Sequence, residues 1–372
     1  MQLILTPDRT PARGRRLGGA GRFAAGGFSI VELMVALAIG GFIMLLLAAV
    51  FFTSSVTRKE SERAARQIEN GRYAMQILSE DIKHAGYLGE FNPSVLATPG
   101  TTPNPCLTTV ADLNAALPVH IQGYDGGSGL TTECTTLLAD RRTGTDVVVV
   151  RRTSTCVVGA AGCDATLSGA PYFQASLCGS GTELASTTAT DYFVLDVSTG
   201  TFGKHKKDCA ATAGLRRYLT HIYFITNNDV SGDGIPTLKR ADFAIVGGAL
   251  AFKIVPVAEG IDNLQVEYGI DTDGDGAPNA FTADPDSYNG CAGAACVTNL
   301  RNVVSVRVNL LARNTDATAG WSDDRVYTLG LKADGSANNF PSSGSGYADA
   351  YKRHAYTSQI RLVNPASRRL VP

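Results

Sequence analysis

The sequence predicts an α+β fold in which one long N-terminal α-helix packs on a domain built from antiparallel β-sheet. The first observation is an apolar run near the N-terminus, followed by a proline-free stretch with helical periodicity. The second is a change of character after Pro93, where clusters of Gly, Thr, Asn and Ser alternate with short β-branched and aromatic runs. No second helical pattern of comparable length follows, so the body is predicted to be mostly sheet.

The apolar half of the helix is predicted to lie in a membrane. Residues 33–52 form a run of 20 without a charge, and a helix of that length spans about 30 Å, the hydrocarbon thickness of a bilayer. Residues 1–27 carry five arginines against one acid, which favours a cytoplasmic N-terminus. Glu32 lies at the start of the apolar segment. A carboxylate within a membrane costs enough free energy that its presence indicates a function. Residues 28–52 are therefore assigned to the membrane-spanning segment.

Residues 53–91 are predicted to continue the same helix in amphipathic form. Small and apolar residues recur there at alternating steps of four and three, which places them on one helical face. The stripe consists of Ala64, Ile68, Gly71, Met75, Leu78, Ile82 and Ala85. This second half is expected to pack on its own globular domain.

Residues 92–372 are predicted to form one β-rich globular domain. Its strand candidates are residues 146–152, 192–197, 221–226, 252–257, 261–270, 303–313 and 356–363. The run 303–313 is the clearest, because Val304, Val306, Val308 and Leu310 alternate with polar residues and give one apolar and one polar face.

The cysteines indicate an oxidising compartment. All eight lie within residues 106–296, in a Gly- and Thr-rich body, and their even number favours disulfides. Eight cysteines allow 105 pairings, among which the sequence does not choose. Sequence proximity favours Cys106 with Cys134, Cys156 with Cys163, Cys178 with Cys209, and Cys291 with Cys296.

One acidic loop is a candidate calcium site. Asp271, Asp273 and Asp275 alternate ahead of Gly276, and hard oxygen ligands at this spacing suit Ca²⁺. The loop is not a full EF-hand, because its twelfth position is Thr282 instead of Glu. The alternative is a polar hairpin in which Asp-Gly forms the turn.

The sequence does not indicate an enzyme or a nucleic-acid-binding protein. It contains no GxSxG, HExxH or P-loop motif, and its five histidines lack metal-ligand spacing. The chain after residue 27 carries a formal charge of about −5, whereas nucleic-acid-binding domains are typically basic.

Two sets of residues resemble a known family. The stretch "GFSIVE" at residues 27–32 resembles the prepilin processing site of type IV pilins and type II secretion pseudopilins. The stretches "YFITNN", "GIDNLQVEYGIDTDGDG", "VVSVRVNLLAR" and "YTSQIRLVN" resemble the PilW family of minor type IV pilins. The resemblance covers most of residues 28–91 and roughly 215–364, whereas residues 94–214 match no motif.

The resemblance implies a pilin-like fold and a non-enzymatic role. A prepilin peptidase would remove residues 1–27 after Gly27 and methylate Phe28, which makes Glu32 the fifth residue of the mature chain. That carboxylate would meet the amino terminus of a neighbouring subunit. The expected partners are other minor pilins, the major pilin, the inner membrane and a tip adhesin, in a complex at the pilus tip that initiates assembly for adhesion and twitching motility.

The expected location is therefore the inner membrane of a Gram-negative bacterium, with a periplasmic globular domain, and the pilus tip. Two alternatives stay open. One is a minor pseudopilin of a type II secretion system, related to its J-type subunit. The other is a membrane-anchored secreted adhesin whose N-terminus resembles a prepilin.

Overall fold

The computed structural model describes Gly27 and residues 29–369. The chain divides into two units, of which one ends at Arg58 and the other begins at Lys59. Helix α1, Ile30–Lys83, contributes residues to both units. Phe28 and residues 1–26 of the predicted leader lie outside the described residues. A long apolar N-terminal helix together with antiparallel sheets confirms the predicted α+β class.

The first unit contains the apolar part of α1. Every residue from Ile30 to Phe52 is exposed, and a helix of this length and hydropathy satisfies the criteria for a membrane span. An exposed helical surface this apolar needs a covering of lipid or of other apolar helices, because water solvates it poorly.

The second unit contains the remaining elements among the described residues. The further helices are α2 Val110–Ala116, α3 Thr132–Leu137, α4 Ala294–Arg301 and α5 Val363–Arg369. The strands are β1 Ile121–Tyr124, β2 Val147–Thr153, β3 Tyr172–Ala175, β4 Phe193–Asp196, β5 Leu215–Thr226, β6 Thr237–Val246, β7 Ala249–Glu259, β8 Ile261–Ile270, β9 Ala280–Thr282, β10 Val303–Arg313, β11 Tyr327–Leu331, β12 Ala337–Phe340 and β13 Arg353–Arg361. Short 3-10 turns lie at Pro93–Val95, Asp125–Gly127, Ala189–Tyr192, Thr199–Thr201 and Tyr288–Gly290.

The strands form two main antiparallel sheets and a ribbon. The larger sheet has seven strands in which β5 is central, since it pairs with β2, β3 and β6. The smaller sheet has the order β13-β10-β8-β9, and β11 pairs with β12. Each of the seven strand candidates overlaps a strand, namely β2, β4, β5, β7, β8, β10 or β13. The prediction of an antiparallel β-rich body is therefore confirmed.

One apolar core joins α1 to both sheets. From the helix it takes Leu78 and Ile82, which are fully buried against residues of β2, β5, β8 and β10. Gly71 lies where α1 passes β13, and a Cβ atom there would come within 2.3 Å of the Tyr356 ring. A larger residue at position 71 would require the Tyr356 ring or the helix to shift, so the glycine permits close packing here.

The predicted stripe on α1 is wrong at Ile68. Ile68 is 42% exposed, whereas the preceding Gln67 is buried at 8%. The Gln67 amide donates to the carbonyl oxygens of Ala312 at 2.9 Å and Lys352 at 2.8 Å. Gln67 is therefore buried because its amide satisfies two carbonyl groups at the end of the sheet. The periodicity of apolar residues does not reveal such a contact.

The polar face of β10 is buried as well as its apolar face. Val306 and Val308 lie in the core, but Ser305 and Asn309, on the other face, are only 3% and 2% exposed. The β11–β12 ribbon covers this side, where the backbone of Gly330 approaches the Asn309 amide. Both faces of this strand are consequently sheltered from water.

Candidate functional site

The first turn of α1 holds the residue that the sequence analysis assigns to assembly. Ser29 is the cap of this helix, because its Oγ accepts a hydrogen bond from the Val31 N–H at 3.3 Å and its carbonyl oxygen accepts one from the Leu33 N–H at 3.1 Å. Glu32 follows three residues later, in the first turn, and is exposed. A negative charge there is favoured by the positive end of the helix dipole.

The spacing of Ser29 and Glu32 gives the carboxylate a second candidate role. A serine cap followed three residues later by Glu is the pattern of a capping box, in which the acid accepts a hydrogen bond from the N–H of the cap residue. Gly27, at the predicted cleavage position, is exposed just ahead of this turn, and Phe28 lies outside the described residues. Glu32 is thus exposed in the first turn, at the position from which it could cap its own helix.

The acidic loop brings its three predicted ligands together. Asp271, Asp273 and Asp275 each offer a carboxylate oxygen within 4.8 Å of the others, with Asp271 buried and the other two exposed. Asp286, a further acid after this loop, is not part of the group, and its carboxylate accepts a hydrogen bond from the Thr102 hydroxyl at 2.6 Å.

The Asp271 carboxylate already has several protein partners. It accepts hydrogen bonds from the N–H groups of Gly274 at 2.6 Å and Gly276 at 2.9 Å, and it forms an ion pair with Arg369 at 3.1 Å. Burial alone would raise the pKa of Asp271, but these N–H groups and the Arg369 guanidinium hold it below its ordinary value. The loop is thus stabilised by the chain itself, and a cation there would share Asp271 with Arg369.

Two alternatives stay open for this loop, a calcium site and a polar turn. A bound calcium ion would be held by the two exposed carboxylates with a contribution from Asp271. The ion would relieve the repulsion among three negative charges, so millimolar calcium should raise the melting temperature of the full-length chain in detergent. Asp273→Asn should abolish that rise, whereas Asp334→Asn, in an exposed turn elsewhere, should leave it intact. An unchanged melting temperature in wild type would assign the loop to the turn alone.

A buried acid on α1, which the sequence analysis did not single out, connects the helix to the larger sheet. Asp81 is 5% exposed, and its Oδ1 accepts a hydrogen bond from Arg152 Nε of β2 at 2.6 Å. Its Oδ2 accepts from His221 Nδ1 at 2.6 Å and from the Tyr223 hydroxyl at 2.9 Å, both on β5. Burial alone would raise the pKa of Asp81, but His221 and Arg152 hold it well below its ordinary value.

A second buried cluster surrounds Arg353, the first residue of β13. Its guanidinium donates to the carboxylates of Asp262 at 2.7 Å, Asp323 at 3.2 Å and Asp349 at 2.6 Å. Its central carbon lies 3.6 Å from the centre of the Tyr347 ring. Burial would lower the pKa of Arg353, but Asp349 and Asp262 raise it above its ordinary value. No sequence motif marks this cluster, because its members are up to 91 residues apart.

The eight cysteines form four disulfides. The pairs are Cys106–Cys134, Cys156–Cys163, Cys178–Cys209 and Cys291–Cys296, which are the neighbours that sequence proximity favours. Each one closes a local loop of the second unit, and this arrangement fits an oxidising compartment.

The C-terminal part of the second unit matches a known protein family. Residues 222–364 match the sequence model of the PilW family, described as type IV pilus-assembly protein W. This segment contains the end of β5 and all of β6 to β13. No curated protein and no solved structure gives a significant match. The predicted resemblance is thus confirmed over residues 222–364, which form a PilW-family segment and associate this chain with type IV pilus assembly.

Proposed function

We propose that this chain is a minor pilin, a non-enzymatic subunit that helps to initiate type IV pilus assembly as part of a tip complex. The observation that carries the proposal is the combination of a PilW-family segment with an exposed apolar helix that begins in the prepilin-like pattern. Such a helix suits both a bilayer before assembly and a bundle of identical or related helices afterwards.

The proposal includes an order of events along the chain. Residues 1–27 act as a leader that keeps the basic end in the cytoplasm, and a prepilin peptidase cuts between Gly27 and Phe28 and methylates Phe28. Residues 28–52 hold the mature chain in the inner membrane and later in the filament core, while residues 53–91 and 92–372 form the periplasmic body. The four disulfides support the periplasmic assignment.

The proposed role of Glu32 is to set the axial register between subunits. Apolar helices slide past one another at little cost, because one apolar contact resembles the next. A carboxylate that meets the free amino terminus of a neighbouring pilin gives a strong attraction at low dielectric, and it does so at one relative position only. The partner is another minor pilin or the major pilin.

Substitutions of Glu32 distinguish a role in setting the register between subunits from a role in capping its own helix. Glu32→Gln retains an acceptor that suits a capping box but removes the charge, so it should reduce co-purification with the other minor pilins as strongly as Glu32→Ala. Both variants should insert into the membrane at normal or higher levels, because removal of a charge favours the bilayer. Intact-mass measurement should show both cut after Gly27.

The control is Glu69→Gln, which removes an exposed charge from the amphipathic half of the same helix and should leave co-purification and pilus number unchanged. Full co-purification of Glu32→Gln together with loss in Glu32→Ala would assign Glu32 to capping. Retention of residues 1–27 in the wild-type membrane protein would contradict the prepilin assignment itself.

A minor pseudopilin of type II secretion is the second candidate, since its N-terminus would have the same pattern. The family match to pilus assembly favours the pilus. Deletion of the gene should therefore abolish surface pili and twitching while protein secretion continues. Neighbouring genes for other minor pilins and for a large tip adhesin would support the same choice, whereas an isolated gene for a secreted adhesin would support the third alternative.

A further inference from the structure

A cavity at the end of the second unit is lined by three arginines and no acid. It has a volume of about 340 Å³ and lies between the loop that follows α1 and the C-terminal ends of α4 and α5. Arg301 ends α4, and Arg368 and Arg369 end α5. Apart from the titratable His120, the remaining lining residues have no ionisable side chain: Asn92, Pro93, Ser94, Thr98, Pro118, Thr298, Asn302 and Pro365.

Only one of these arginines has a carboxylate partner among the described residues. Arg369 pairs with Asp271 at 3.1 Å. Arg301 instead donates to the Thr98 hydroxyl at 2.5 Å and to the carbonyl oxygens of Pro93 and Ser94 at 3.3 and 3.4 Å. Arg368 donates through Nη2 alone, to the carbonyl oxygens of Gly86 at 2.8 Å and Phe91 at 3.4 Å. Two positive charges at the cavity therefore lack an anion within the described part of the chain.

The hydrogen-bond donors of Arg368 are only partly used within the described residues. A guanidinium carries five N–H groups, and the Nε and Nη1 atoms of Arg368 have no acceptor among the residues that the structure describes. Arg368 is partly buried, and this burial lowers the pKa of its guanidinium to about 10. An incoming oxyanion would accept these hydrogen bonds and compensate that charge.

A buried histidine, His120, also lines the cavity. His120 is buried, and its Nε2 donates to the carbonyl oxygen of Val303 at 2.8 Å in the neutral ring. Burial, with a further contribution from Arg368, Arg369 and Arg301, lowers the pKa of His120 to about 3. His120 is therefore neutral near pH 7 and adds no charge that would have to be compensated.

Capping of the helix ends explains part of this arrangement but not all of it. Cations are favoured at helix C-termini, and Arg369 fits that role, since it donates to the carbonyl oxygen of Arg301 at 3.4 Å. Arg301 and Arg368 instead donate to carbonyl oxygens of the segment that follows α1. These carbonyl oxygens offset part of the cost of desolvating the two guanidinium groups, but they do not neutralise the positive charges.

We propose that this cavity is a binding site for a small oxyanion, a carboxylate or a phosphate group, held between Arg301 and Arg368. Guanidinium groups recognise both kinds of oxyanion with paired hydrogen bonds. The cavity has room for a group of that size together with ordered water. The site is independent of the role in pilus assembly proposed above, since none of these residues belongs to the apolar helix.

The test uses the full-length chain in a neutral detergent at pH 7, with inorganic phosphate and glutarate as probes. Each probe is titrated against sodium chloride of matched ionic strength. At least one of the two should raise the melting temperature in a saturable manner, and the more effective probe identifies the geometry of the oxyanion. Isothermal titration calorimetry should give one site per chain.

Arg368→Gln and Arg301→Gln should each weaken the effective probe at least about tenfold, as expected for loss of one charge-assisted hydrogen bond. The matched control is Arg361→Gln, which removes an exposed arginine from β13 outside the cavity and should keep the wild-type midpoint. Wild type that responds to neither probe beyond chloride, or variants that keep the wild-type midpoint, would overturn the assignment. The wild-type calorimetry decides the question even if one of the variants does not fold.

Discussion

Arg353→Ala should lower the free energy of unfolding by about 3–5 kcal/mol, because it removes the buried cation that Asp262, Asp323 and Asp349 share. Arg142 remains beside Asp262 and Arg325 beside Asp323, but both arginines are more exposed than Arg353 and compensate these charges only in part. Asp262 and Asp323 have fully buried side chains, so water cannot replace the guanidinium. A loss of this size is a large part of the stability of an ordinary domain. Denaturant unfolding of the full-length chain in detergent, followed by near-ultraviolet circular dichroism, measures it.

Two comparison variants test whether the loss of stability in Arg353→Ala comes from the buried cluster. Arg353→Lys keeps the charge but loses the paired hydrogen bonds to Asp349, so it should lose an intermediate amount. Arg361→Ala removes an exposed arginine at the other end of the same strand and should change the free energy by less than about 0.5 kcal/mol. Equal losses for Arg353→Ala and Arg361→Ala would mean that the buried cluster contributes nothing.

Asp81→Ala should lower the free energy of unfolding by about 3 kcal/mol, since it removes the acceptor shared by Arg152, His221 and Tyr223. Glu80→Ala is the matched control, because Glu80 is adjacent on the same helix but exposed. It should change the free energy by less than about 0.5 kcal/mol. The measurement is the same denaturant titration, and equal effects of the two variants would contradict the role given to Asp81.

The contribution of Asp81 should also depend on pH. Its folded pKa lies below the ordinary value of 3.8, so the unfolded chain binds the proton more readily than the folded chain. The stabilisation is therefore complete above about pH 5 and is lost as the pH falls below 4 towards the folded pKa. The difference between wild type and Asp81→Asn should shrink over that range, and a constant difference would contradict the lowered pKa.

The sequence predicts those helices and strands whose apolar pattern lies within one continuous stretch of chain. The apolar run before Phe52 and the alternation of β10 are such cases, and both appear in the structure. Strand β6 was not predicted, because Leu238, Ala241 and Phe243 are interrupted by charged residues that face other parts of the fold. The polar strands β11 and β12 were missed for a similar reason, since they cover the polar side of another strand instead of building the core.

The same distinction applies to the candidate sites. The acidic loop is contiguous in the chain, so its spacing alone brings the three aspartates to attention, and the structure places their oxygens together. The clusters at Asp81 and Arg353 join residues separated by up to 142 positions. A charged residue in a helix is ordinarily solvated, and only the packed structure shows which of them is buried. Gln67 is a further example. It is buried where the periodicity predicts Ile68, because carbonyl groups far away in the sequence accept its amide hydrogen bonds.

The placement of the disulfides determines how the protein would bear mechanical load. All eight cysteines lie after residue 105, and the widest bridge encloses a separation of only 31 residues, so no covalent cross-link ties helix α1 to a sheet. A force applied along α1 is resisted in shear by the Gln67 amide, the Leu78 and Ile82 packing and the Asp81 cluster. The attachment of α1 to the sheets under load therefore depends on noncovalent contacts and not on a disulfide.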